Sequence, residues 1–179
     1  DEEVNELDVQ ASDEIVHLIA KRQPVARDLR EILTVGKIVT DLERVGDEAR
    51  KIAKMTLHFY DVQSAGPNPQ IIRDILKMVL SRSLQSFDGP DLDVALEVIR
   101  MNDELCSDFK SALRRLSTFI MEDSRSVGHV VETVRGLRAI ERIGGHAKNI
   151  AGYVLFLVKG VDVRHANLEV VAKEVSSET

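Results

Sequence analysis

Val39–Ala53 reads VTDLERVGDEARKIA, and 98 residues further on Leu137–Ala151 reads LRAIERIGGHAKNIA. Six of these fifteen pairs are identical: Glu43/Glu141, Arg44/Arg142, Gly46/Gly144, Ala49/Ala147, Ile52/Ile150 and Ala53/Ala151. Leu42/Ile140, Val45/Ile143 and Arg50/Lys148 are conservative besides. A polar motif in register on two apolar-periodic segments marks an internal repeat, and so two related structural units. Around the first copy, Val35, Ile38, Leu42, Val45, Ala49 and Ile52 recur at alternating spacings of three and four. That is the seam of a helix packed on other helices.

Working outward, the four prolines punctuate the rest. Pro24, Pro67, Pro69 and Pro90 each fall between apolar-periodic stretches, and proline is tolerated in a first helical turn but breaks an interior. Asn68 before Pro69 reads as an N-cap with proline at the first helical position. The helices expected are 1–21, 25–62, 69–87, 91–122 and 127–160. No alternating pattern suggests a strand. The fold expected is all-α: a tandem of two related three-helix bundles, the first missing its leading helix. Residues 1–65 would form the first bundle, 69–162 the second, and 163–179 a polar tail. A two-helix layer leaves part of its apolar stripe uncovered. The first unit is therefore expected to self-associate or take a neighbour.

Composition narrows the function. The chain has 179 residues and a formal charge of −6, with 44% hydrophobic and 30% charged residues. An acidic balance argues against a general nucleic-acid binder. The single cysteine, Cys106, excludes an internal disulfide framework and fits a reducing compartment. No stretch of 18 apolar residues offers a membrane span. Glycine-rich phosphate loops and the Gly-x-Ser-x-Gly elbow are both absent.

Glu43 and Asp47 lie four apart, on one helical face. Like charges at that spacing repel, a bound cation would reverse the sign, and carboxylate oxygens suit hard cations, iron or manganese. Gly46 between them costs about 1 kcal/mol relative to alanine in a helix interior, which calls for a packing or site reason. The plainer reading is a solvated face in which Asp47 pairs with Lys51 and Arg44 with Glu48. In the second copy Gly145 replaces the aspartate, and His146 lies about 100° further round the helix.

Asp41-Leu42-Glu43-Arg44-Val45-Gly46-Asp47, Ala20-Lys21-Arg22-Gln23-Pro24, Asp28-Leu29-Arg30, Met121-Glu122-Asp123-Ser124-Arg125, Ile140-Glu141-Arg142-Ile143-Gly144 and Val158-Lys159-Gly160 resemble, in order, segments of the PhoU family. These are accessory proteins of the bacterial phosphate-specific transport system. The resemblance runs from Asp1 to about His165 and implies two three-helix bundles without enzymatic activity. It implies a cytoplasmic, membrane-peripheral regulator that connects the phosphate ABC transporter to a sensor histidine kinase, and the uncovered stripe of the first unit adds the expectation of a homo-oligomer, such as a dimer. Such a protein holds the phosphate-starvation response off when phosphate is plentiful. The family's Glu/Asp-x-x-x-Asp motifs bind iron or zinc. Carried over, they fall on Glu43 and Asp47, with Asp1 and Asn5 on the preceding helix. In the second half they fall on Glu141, with Asn102 and Cys106 in the partner positions, where only Glu141 is a carboxylate. A different site built by Cys106 and His146 is the alternative there.

Two rival readings stand beside the adaptor. A carboxylate-bridged di-metal enzyme in a helical bundle needs Glu-x-x-His pairs on two helices. Glu14 and His17 have that spacing without a second-half counterpart. A metal-free helical scaffold would differ from the adaptor in metal content alone.

Overall fold

The computed structural model describes residues 2–58, 69–122 and 127–160. Five helices make up all the regular structure among them: α1 (Glu2–Arg22), α2 (Ala26–His58), α3 (Pro69–Asp88), α4 (Leu92–Glu122) and α5 (Val127–Lys159). The fold is all-helical, as the periodicity requires. Pro69 opens α3, in the one place where a missing N–H costs nothing. Asp91 caps α4, its Oδ1 accepting from the backbone N–H groups of Asp93 and Val94 at 3.0 and 3.1 Å. The expected helix at 59–62, and the tail at 163–179, lie outside the described residues.

Helices α3, α4 and α5 close around a core of Val79, Ala95, Leu96, Val98, Ile99, Ala147, Ala151, Val154 and Leu155. Two serines of α3 enter that core at no polar cost. Ser83 and Ser86 are buried, and each hydroxyl donates to a carbonyl one turn back, Leu80 and Ser83, at 2.7 Å. At Gly144 of α5 the side chains of α4 press close. A Cβ there would sit 2.6 Å from Leu105 Cδ2 and 2.8 Å from Asn102 Oδ1.

The most extensive interface in the molecule joins α2 to α5. They run antiparallel: Met55 lies over Gly136, Glu48 faces Arg142, Asp41 faces His146, and Arg30 lies over Gly160. Ile38, Ile150 and Tyr153 form its apolar centre, with Leu42 packed against them. Helix α1 packs chiefly on α2 among the described residues, with no fully buried residue of its own. Its half-buried stripe of Val4, Asp8, Ala11, Ile15 and Ile19 faces α2. Leu7, Val9, Val16 and Leu18 of α1, and Leu33 of α2, are exposed.

Candidate functional site

The two carboxylates singled out from the sequence do sit on one face of α2, but their partners differ from the plain expectation. Asp47 pairs with Arg50 at 2.8 Å rather than with Lys51. Lys51 instead donates to Glu48 at 2.9 Å, and Arg44 approaches Asp41 at 3.9 Å. Glu43 is half-buried. A Cβ on Gly46 would meet Val4 Cγ1 at 3.7 Å, an ordinary contact, so close helix approach does not demand glycine there. Among the described residues no three His, Cys, Asp or Glu side chains gather as a metal ligand set. Glu43 and Asp47 are the two described members of the set that the sequence names. Asp1 lies outside the described residues.

In the second half Glu141 accepts from Arg138 at 3.0 Å. Asn102 and Cys106 touch only through a long Nδ2–Sγ contact of 3.9 Å. Burial pushes the Cys106 thiol up, and the nearby carboxylates of Glu141 and Asp103 add to the effect. A thiol so placed keeps its proton, the opposite of a thiolate ligand. His146 points away from it, across the seam to α2.

That seam holds the cluster that the sequence reading passed over. Asp41 is buried, and its Oδ1 lies 2.7 Å from His146 Nδ1 and 3.5 Å from Asn149 Nδ2. One heptad along, buried Glu48 accepts from Arg142 at 3.0 Å and from Lys51 at 2.9 Å. Burial pushes the Glu48 carboxyl up, but the two cationic donors outweigh it and hold it below its ordinary value. Asp41 Oδ2 and Glu48 Oε2 have no hydrogen-bond partner among the described residues. Further along, Lys37 Nζ stands 5.5 Å from the Tyr153 ring centre and 5.2 Å from that of Phe156. The signal was present. Asp41 and Glu48 fall three residues after Ile38 and Val45, at seam positions where an acid is out of place.

The seam is an internal contact between α2 and α5, and its charged groups are tied to one another across it. The PhoU domain matches residues 1–56 and again 71–154, two copies that take in α1–α2 and most of α3–α5. The chain belongs to the PhoU family. It is 39% identical over 179 residues to a phosphate-specific transport system accessory protein PhoU homologue of Pseudomonas putida, covering 98% of this chain and 70% of that protein. With PhoU of Escherichia coli K12 it shares 34% over 171 residues, 92% of this chain and 69% of that one. The crystal structure of PhoU from Pseudomonas aeruginosa superimposes with a TM-score of 0.77 at 36% identity, over 89% of this chain and 81% of that one. No described helix is long and apolar enough to cross a membrane.

Proposed function

We propose that the chain is a non-enzymatic accessory regulator of phosphate uptake. It acts in the cytoplasm as an adaptor between the phosphate ABC transporter and a sensor histidine kinase. The observation that carries this reading is the double PhoU match together with relatives named as accessory proteins of phosphate-specific transport. The geometry agrees: long helices, paired surface charges and a polar seam suit binding that favours one signalling state of a partner over another. In that role the protein keeps the phosphate-starvation response off when phosphate is plentiful.

The test is complementation. Expressed in a bacterium stripped of its own PhoU, the chain should return a phosphate-starvation reporter to its repressed level in phosphate-rich medium. A reporter that stays on despite soluble, helical protein would overturn the reading. In this reading iron or zinc would be held by Glu43 and Asp47, with Asp1 as the third donor that the family resemblance implies. Elemental analysis beside a Glu43→Gln/Asp47→Asn variant checks it. Metal present in the parent and lost from the variant supports the ligand set, whereas a parent that takes up neither ion leaves a metal-free adaptor.

A further inference from the structure

The turn between α1 and α2 is an unusual end for an acidic protein. Gln23 donates its backbone N–H to the Ile19 carbonyl at 3.1 Å and takes φ of 47°, closing α1 with a left-handed residue that is not glycine. Ala26 repeats the conformation at φ of 51°. Pro24 and Val25 are held between these two residues, and Val25 projects with 73% of its surface exposed. Lys21 and Arg22 flank the tip on one side and Arg27 on the other, all exposed.

Lys21 and Arg22 complement the C-terminal dipole of α1, so their presence has a local reason. Arg27 has none. It stands in the first turn of α2, where the helix dipole disfavours a cation. Behind the tip, Arg30 lays its guanidinium over Gly160, in the space where a Cβ on that residue would stand. This brings Lys159 to the same end and braces the turn against α5. Among the described residues, five bases against Asp28 and Glu31 leave this end three positive in a chain of −6. Arg44, Arg50, Lys51, Arg135, Arg138, Arg142 and Lys148 each have a carboxylate partner, whereas Lys21, Arg22 and Arg27 have none among the described residues.

We propose that this braced tip is a docking surface for an acidic protein segment, with Lys21, Arg22 and Arg27 meeting its carboxylates and Val25 entering an apolar notch between them. Charge complementarity selects the occupant, and the contact of Arg30 with Gly160 holds the base of the tip against α5.

The experiment uses the whole chain and a fluorescein-labelled oligoglutamate peptide carrying one leucine, followed by anisotropy at rising salt. Binding should be present at low salt and fade as the Debye length shrinks. It should weaken about tenfold or more in Lys21→Glu/Arg22→Glu/Arg27→Glu and persist in Arg114→Glu/Arg115→Glu, a reversal of two exposed bases on α4. Should the triple variant lose its helical circular dichroism, Lys21→Gln/Arg22→Gln makes the same comparison without added repulsion. Absence of peptide binding, or equal loss from both reversals, would overturn the proposal. So would binding confined to phosphatidylcholine/phosphatidylglycerol vesicles, which would assign the tip to a bilayer. The assay uses purified components, so its failure is separate from failure of the phosphate reporter.

Discussion

The two copies of the repeat fold alike and are buried differently. In α5, Ala147 and Ala151 are 0% exposed in the core shared with α3 and α4, Ile150 is fully buried, and Gly144 has α4 pressed against it. Their counterparts in α2 are Ala49 and Ala53, both exposed, a half-buried Ile52, and Gly46 with no contact closer than 3.7 Å. Identical residues thus sit in a dense core in one copy and at an open face in the other. A shared motif reports common origin and helical register. How much each residue stabilises the fold is decided by what packs over it.

The largest test of that difference is truncation. Ile150→Ala should cost about 2–5 kcal/mol, the range for a buried aliphatic side chain, and Ile52→Ala about 1 kcal/mol. Urea unfolding of the two variants measures both. Equal costs would break the comparison and show that α2 is covered as well as α5. A smaller effect of opposite sign in the two copies should come from glycine. Gly144→Ala must displace Leu105 and buried Asn102, for a net loss of about 1 kcal/mol after the gain in helix propensity. Gly46→Ala meets only ordinary contact and should gain up to about 1 kcal/mol. Thermal melts of the pair decide it, and destabilisation by Gly46→Ala would mean that its site needs the empty space.

Glu48 belongs to the first copy, accepts from Arg142 of the second, and sharpens the comparison through pH. Its folded pKa lies below the ordinary 4.5, so the stability it contributes is present above that value and is lost as pH falls through the lowered one. Unfolding midpoints measured from pH 6 downward should fall less steeply in Glu48→Gln than in the parent. An unchanged slope would remove Glu48 from the acid response. The smallest effect should be chemical. Cys106 and Asn5 occupy corresponding places before their respective long helices, yet Cys106 is half-buried with a raised thiol pKa and Asn5 is exposed. A cysteine placed by Asn5→Cys in a Cys106→Ser background should be alkylated about tenfold faster than Cys106 near neutral pH.

The sequence was most legible where local rules suffice. Pro24, Pro69 and Pro90 mark three helix boundaries, and the spacing of Ile38, Leu42 and Val45 names the face of α2 that meets α5. Ala49 carries the same period and is exposed, because periodicity gives a face but not the number of helices that cover it. The pairing of Asp47 with Arg50 in place of Lys51 is a choice between near-equal neighbours on one helix, below what spacing can resolve. The Asp41–His146 contact was illegible for another reason. Its two residues are 105 apart, and nothing local to either one names the other. Only an acid at a seam position hinted that a polar partner had to arrive from elsewhere.

The antiparallel seam also sets an order of events during synthesis. Glu48 finds Arg142 across 94 residues, and Asp41 finds His146 across 105. At about 5–20 residues per second, the ribosome leaves α2 for roughly 5–20 s before its main partner emerges. Through that interval the face of α2 that will meet α5 has no partner from the second half of the chain. The first half of the chain is therefore a guest awaiting its host. Mutations in α5 should reach the yield of soluble protein through α2, by lengthening the time its apolar face stays in water.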